Sequence, residues 1–262
     1  MTAFPMVADS AIMLHRNLRR MRRYPSLTLF IAGIPVVLLL LFVYVFGGTL
    51  GAGLGGVTVG REAYIAYVVP GILLITVAGA SQGTAISIAM DMTEGIIARF
   101  RTMAIARGAV LTGHVIGSVI QTMIAIVVVT AVALLVGFRP TTGPLEWVAA
   151  AGVLALSAVA ISWLSVALGM WPKDVETASN LPMFLVFLPF LSSGFVPTET
   201  MPGPLAWFAE HQPFTPLIET VRGLLLGTPI GDSGIIAVAW CVVISALGYL
   251  WATRLYSRNP SS

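Results

Sequence analysis

The sequence predicts an all-α integral membrane protein with six transmembrane helices, and three observations predict it. Apolar residues fill 57% of the 262 positions and charged residues only 10%, where a soluble domain carries about 25% charged. Six long apolar runs succeed one another, each close to the roughly 20 residues that take a helix across a hydrocarbon core of about 30 Å. The basic residues gather on alternate connections between those runs. Barrel strands would alternate in polarity and these runs do not, so helices must satisfy the backbone amides in lipid.

Residues 1–26 come first. Val7, Ala11, Leu14, Leu18 and Met21 recur at spacings of four and three, which puts them on one helical face with His15, Arg16, Arg19, Arg20, Arg22 and Arg23 on the rest. That stripe predicts an amphipathic helix in the cytoplasmic interface, its arginines on anionic headgroups; a plain charged anchor would need the arginines without the stripe. The first apolar run begins only near Leu27, after this basic stretch and ahead of five more runs, and is read as a retained span. The transmembrane unit is expected over 27–258, with spans at about 27–46, 64–90, 110–136, 147–170, 181–196 and 235–252.

The fifth span is anomalous. It is short, opens with Asn180-Leu181-Pro182, contains Pro189 and ends at Ser192-Ser193-Gly194. The apolar stretch from Pro197 to Gly227 follows, broken by Pro202, Pro204, Pro213 and Pro216, with Leu205, Trp207 and Phe208 close together. Thr215-Pro216 suits a helix start and Gly227 a helix end. One or two short re-entrant helices in the outer leaflet are expected there, because a further full crossing would carry Arg254 and Arg258 to the outer side.

Orientation follows from the charges. The segment before the first span, the loop after the second (Arg99, Arg101, Arg107), Lys173 after the fourth, and Arg254 and Arg258 after the sixth lie on one side; only Arg61, Arg139 and Arg222 lie on the other. Both termini are therefore expected in the cytoplasm. The net charge of +3 reports arginines at membrane edges and carries no sign of nucleic-acid binding.

Several chemistries lack their residues. A phosphate-cradling loop needs a glycine-rich turn ending in Lys and Ser or Thr, and the single lysine, Lys173, sits in Gly169-Met170-Trp171-Pro172-Lys173-Asp174. His15, His114 and His211 are far apart in sequence and fit capping or interfacial positions better than a metal site. The one cysteine, Cys241, stands in an apolar run and reads as filler. A carboxylate deep in a span would mark a proton-coupled transporter or an intramembrane enzyme; Asp91, Glu94, Glu62 and Glu146 all stand at span ends. Uncharged polar residues do occur inside: Ser81, Gln82, Thr84 and Ser87, Gln121 and Thr122, and Ser157, Ser162 and Ser165. They fit helix packing, as do the pairs Gly79 with Gly83 and Gly113 with Gly117. Gln82, Gln121 and the fifth-span rings Phe184, Phe187 and Phe190 could instead line a path for a substrate.

The loop from Asp91 to Gly108 is the most informative. It mixes charge with Ile96, Ile97, Phe100, Met103 and Ile105, too apolar for a solvated tether and too charged to span. A short cytoplasmic helix could seat in a groove on a soluble partner or lie flat on the membrane.

Within that loop, Glu94-Gly95, then Arg99-Phe100-Arg101-Thr102-Met103 and Ala106-Arg107, resembles the signature region of type-2 ABC exporter permeases. The stretch from Ser193-Gly194-Phe195-Val196-Pro197 to Met201-Pro202, with Trp207-Phe208-Ala209-Glu210-His211-Gln212-Pro213 and Arg222-Gly223-Leu224, is similar to the daunorubicin-resistance, or drug and natural-product efflux, branch of that family. The resemblance covers nearly the whole chain. It implies a permease without catalytic residues of its own, which pairs with a second permease copy or homologue and with two copies of a separately encoded ABC ATPase that bind the ATP and magnesium. It implies that Glu94, Gly95, Arg99, Phe100, Arg101, Met103 and Arg107 belong to a coupling helix seated in the ATPase, that residues 1–26 form the interface helix, and that Pro197, Trp207, His211, Pro213 and Arg222 belong to the re-entrant segment. Export of hydrophobic drugs, natural products or lipids follows from the same likeness, without naming the cargo, and the scarcity of lysine beside abundant Ala, Val, Gly and Arg points to a bacterial source and so to a bacterial cell membrane. A membrane scaffold that recruits a cytoplasmic partner and moves nothing is the competing reading, and an ion channel a third, for which no charged ring or selectivity loop is evident.

Overall fold

The computed structural model describes residues 25–48, 60–94, 107–172 and 174–258, and every regular element among them is a helix. In order these are α1 (Pro25–Leu41), which runs on into a π-helical turn (Phe42–Phe46); α2 (Arg61–Thr93); α3 (Arg107–Val136); α4 (Pro144–Met170); α5 (Val175–Asn180); α6 (Met183–Phe187); 3-10 turns at Leu188–Leu191 and Thr198–Thr200; α7 (Gly203–His211); α8 (Phe214–Leu226); and α9 (Ser233–Arg258). The amphipathic stripe before Leu27 lies outside the described residues.

Four helices, Arg61–Thr93, Val110–Val136, Pro144–Met170 and Ser233–Ser257, are long and apolar enough to cross a membrane, and Ile31–Phe46 and Val175–Leu191 are shorter apolar stretches. The chain is thus a multi-pass membrane protein. Its centre is α2, 78% buried over its most apolar window against 28% for α3 and 22% for the last helix. Helices α1, α3, α4 and α8 all pack on α2, and α9 packs mainly on α4. Leu39 and Val43, Tyr64 to Ala78 on α2, and Phe138, Leu154, Ile161, Phe214 and Ile218 form one apolar core. The outward faces of α3 and α9 carry exposed Val127, Leu135, Ile235 and Leu247, as a lipid-facing surface requires.

Several interior hydroxyls are satisfied within their own helices, whereas those of Tyr64, Ser81, Ser193 and Ser245 meet no partner among the described residues. Thr76, Thr122, Ser157, Ser165 and Thr220 donate to the carbonyl four residues back, so their helices carry polar side chains into an apolar core without orphaning them. Thr84 goes further: its hydroxyl meets that of Ser118, and Ser162 Oγ donates to Ser118 Oγ at 3.1 Å, so that α2, α3 and α4 are tied at one level.

Two sequence expectations need correcting. The stretch 181–196 is not one helix. The chain turns into helix earlier, at Val175, breaks at Leu181-Pro182, resumes as α6 and tightens to a 3-10 turn at Leu188-Pro189 before the turn at 192–195. Pro182 and Pro189 each lack an amide to continue the ladder, which accounts for the breaks. The pair Gly79 and Gly83 makes no close helix approach among the described residues of the chain. A Cβ on Gly79 would meet nothing within 4 Å, and one on Gly83 only the Ile31 side chain at 3.7 Å. The backbone comes close at Gly71, where a Cβ would stand 2.8 Å from the Gly194 carbonyl oxygen, at Gly169 against Ala85, and at Gly248 against Trp163 and Leu164.

Asp174 starts α5. Its Oδ1 accepts the Thr177 amide at 2.7 Å and its Oδ2 the Thr177 hydroxyl at 3.0 Å, and these bonds, the backbone one foremost, hold its carboxyl below the usual carboxylate range. The cap is fully formed above the ordinary carboxylate pKa of about 3.9 and is lost as the pH falls through the lower folded value. Protection of the Thr177 amide, its exchange rate taken relative to the intrinsic rate at each pH, should therefore hold down to about pH 4 and be lost as the pH falls further, whereas Asp174→Ala should leave it unprotected at every pH. Gly71→Ala should lower thermal stability in detergent by about 1–3 kcal/mol because the backbone has to part. Gly79→Ala, meeting open space in a helix, should leave the unfolding midpoint level or raise it.

Candidate functional site

The two ends of the bundle carry different chemistry. At the Arg61 end, the helical hairpin α7–α8 folds back against α2. Pro202 and Pro204 start α7, Pro213 sits in the corner before α8, and Gly227 closes α8 at φ 72°, in the left-handed region where a glycine meets no steric penalty. The last carbonyls of α8 are taken up by the α3–α4 loop: the Thr141 amide and the Thr142 hydroxyl donate to Leu225, and the Thr141 hydroxyl to Leu226.

Arg222 reaches from α8 into this junction. Its Nη2 donates to Ser193 O at 2.7 Å and to Tyr67 O at 3.2 Å, and its guanidinium lies over the Tyr67 ring at 4.0 Å. One side chain therefore holds α2, the turn at 192–195 and α8, beside the Gly71–Gly194 contact. Gln212 and Thr215 continue the junction: Gln212 Oε1 accepts the Phe214 amide, its Nε2 donates to Leu188 O at 3.3 Å, and Thr215 Oγ1 accepts the Ser193 amide while donating to Ala209 O. Arg61 stacks over Tyr44 at 4.1 Å and binds the end of the first helix to α2 in the same way.

At the Asp91 end, the buried side chains of Asp91 on α2 and His114 on α3 meet, Nε2 to Oδ2, at 3.0 Å. Sequence reasoning had both residues at helix ends and did not pair them. The available signal was two ionisable residues on the loop-side turns of consecutive spans. Trp171 and Trp251 pack together nearby in sequence to the α4 and α9 termini, with ring centroids 5.8 Å apart.

The sequence-predicted residues fall as follows. Glu94 ends α2, its amide bonded to Met90 O at 2.9 Å, and Arg107 opens α3; Gly95, Arg99, Phe100, Arg101 and Met103 lie outside the described residues. Pro197 precedes the Thr198–Thr200 turn, and Trp207 and His211 stack on each other in α7 at 4.6 Å, with His211 Nδ1 against Trp207 O. Gln82 is occupied structurally, donating to Ser179 O at 3.1 Å and so holding α5 to α2. Gln121 is half-buried on α3. Phe184 and Phe187 are about half exposed, while Phe190 stacks on Phe195, which in turn packs against Phe42. An apolar cavity of about 320 Å³, lined by Leu73, Ile126, Leu134, Trp147, Leu154 and Leu225 among others, opens between α2, α3, α4 and α8 and contains none of the five path candidates.

Residues 10–226 match the profile of the family described as ABC-2 type transporter. Over 259 residues, 97% of this chain and 88% of the relative, the chain is 29% identical to the daunorubicin resistance ABC transporter permease protein DrrB1 of Streptomyces coeruleorubidus. It is 25% identical over 224 residues, 82% of this chain and 79% of the relative, to the "Probable doxorubicin resistance ABC transporter permease protein DrrC" of Mycobacterium tuberculosis H37Rv.

Because Arg222 spans three elements, Arg222→Lys, which keeps the charge but loses the planar fork and the stacking, should loosen them together. Amide exchange at Gly194, Phe195 and along α8 should rise by roughly tenfold, while exchange in α9 stays as in the parent chain.

Proposed function

This chain belongs to the ABC-2 type transporter family, and from that premise we propose that it is the membrane permease of an ATP-driven exporter that carries apolar drugs or natural products out of the cell. The observation that carries the reading is the alignment with a daunorubicin resistance permease over 97% of the chain.

In this proposal the chain crosses the membrane six times. The four long helices cross fully, α1 makes the first crossing, and the broken stretch Val175–Leu191 makes the fifth. The hairpin α7–α8 dips into the outer leaflet and returns, leaving α9 to end in the cytoplasm beside Arg254 and Arg258. Residues 1–26 lie along the cytoplasmic interface ahead of a transmembrane domain over 27–258. Two permeases, identical or homologous, stand over two ATPase chains that bind the ATP and magnesium. The segment from Glu94 to Arg107 seats in the ATPase, with Phe100 as its apolar knob and Arg99, Arg101 and Arg107 around it. Export is rearrangement of the paired permeases driven from that seat, with no bond made or broken in this chain.

Two outcomes are expected. Cells carrying the permease with its ATPase should accumulate less doxorubicin than cells without it, and Phe100→Asp at equal membrane expression should abolish the difference; full efflux by that variant would overturn the coupling role. In a Cys241→Ser background, a cysteine at position 199 should react with a membrane-impermeant maleimide from outside intact cells, and reaction only from the cytoplasmic side would reverse the topology.

A further inference from the structure

Among the described residues, Asp91 and His114 bring a carboxylate and an imidazole together in the interior. Both are buried, 4% and 5% exposed, and their side chains meet at 3.0 Å. Their neighbours along the chain are buried and apolar: Ile88 one turn before Asp91 on α2, and Leu111 and Val115 beside His114 on α3. An ionisable pair in such a place has to overcome the loss of water around both groups, and is weak evidence of added stability. Adhesion between α2 and α3 is already available without that loss, from the hydroxyls of Thr84 and Ser118, two turns along α2 and one along α3. Ionisable groups held in a membrane bundle are rare and mark function by default.

Their position narrows the function. Asp91 is on the last turn of α2 and His114 is two turns into α3, so the pair clasps the two helices at the roots of the segment that joins them. Of those helices α2 is the one packed on nearly all sides, in contact with α1, α3, α4 and α8. A push on the joining segment could spread the two helix ends apart, or move them as one body. A hydrogen-bonded pair across the roots opposes spreading, and the push is then delivered to the helix with the most neighbours.

We propose that Asp91 and His114 are positioning residues for transport: they lock the ends of α2 and α3 together so that movement of the ATPase-facing segment reaches the centre of the bundle. The inference rests on the coupling role proposed for residues 94–107. Neither residue touches cargo or nucleotide; both act through the segment between them.

The test uses the full permease–ATPase complex in liposomes, with doxorubicin as the transported probe, and reads drug moved per ATP hydrolysed. Asp91→Leu and His114→Leu, which cannot make the hydrogen bond, should keep ATP hydrolysis within about twofold of the parent while drug moved per ATP falls by roughly tenfold. The exchanged chain, Asp91→His with His114→Asp, restores the pair and should recover most of that ratio. A merely structural pair would lower the yield of folded complex and leave drug per ATP in the surviving complex unchanged, and that result overturns the inference. Where a single variant fails to assemble, the exchanged chain decides: assembly with a recovered ratio supports the clasp, and assembly with a low ratio overturns it. Failure of the parent complex to move doxorubicin in an ATP-dependent way would overturn the proposed function and the clasp with it, whereas transport by the parent with ratios unchanged in every variant would overturn the clasp alone.

Discussion

A guanidinium taken out of water has to find hydrogen-bond acceptors, and Arg222 finds them on two elements other than its own, at Tyr67 O and Ser193 O, with the Tyr67 ring beneath it. Those carbonyls are free to accept because the turn at 192–195 has left the helical ladder at Ser193 and because a carbonyl has a second lone pair at Tyr67. The arrangement exists only if the turn can reach α2, and Gly71 and Gly194 let it: with a side chain at 71 the two backbones could not come together. Glycine contact, guanidinium and aromatic face thus form one junction. It holds a short, proline-interrupted stretch of chain in register with α2, the longest helix among the described residues.

Through α2 the two ends of the molecule are mechanically one. The helix runs unbroken from Arg61 to Thr93, past the Arg222 junction at one end and the Asp91–His114 contact at the other. Between them the Thr84–Ser118–Ser162 hydroxyls tie it to α3 and α4, and Gln82 ties it to α5. Helices α3 and α9, by contrast, spend most of their surface facing outward, where lipid is an adequate partner for aliphatic side chains and no specific contact is needed. A protein built to pass a conformational change from one side of a membrane to the other has reason to concentrate its directed contacts on one central rod. In the mechanism proposed above, in which paired permeases alternate between conformations, that rod links the segment assigned to the ATPase with the hairpin assigned to the outer leaflet.

Much of this was legible in sequence where the signal was local. Apolar length marked the four long helices, the prolines between 197 and 216 marked the hairpin, and Gly227 marked the end of α8. The motif around Phe100 and the motif from Ser193 to Pro202 pointed to the family that the profile match bears out. What escaped was non-local. Tyr67 and Arg222 are 155 positions apart and Asp91 and His114 are 23 apart, and neither separation has a period that a single sequence displays. Glycine spacing at 79 and 83 indicated that a helix could be approached closely, not which face the fold would use, and the fold used 71, 169 and 248. Helix α5 was missed although Asp174 is a good capping residue, because the search for long apolar spans gave no weight to a polar first turn, Val175-Glu176-Thr177.

The central claim is that this chain transports through a separate ATPase, and the most direct measurement is purification from its native membrane in mild detergent, with co-purifying proteins identified and ATP hydrolysis assayed with and without doxorubicin. The account predicts an ATPase recovered in equal amount with the permease, and hydrolysis that responds to the drug. An intact permease that reproducibly comes through without any ATPase would contradict it.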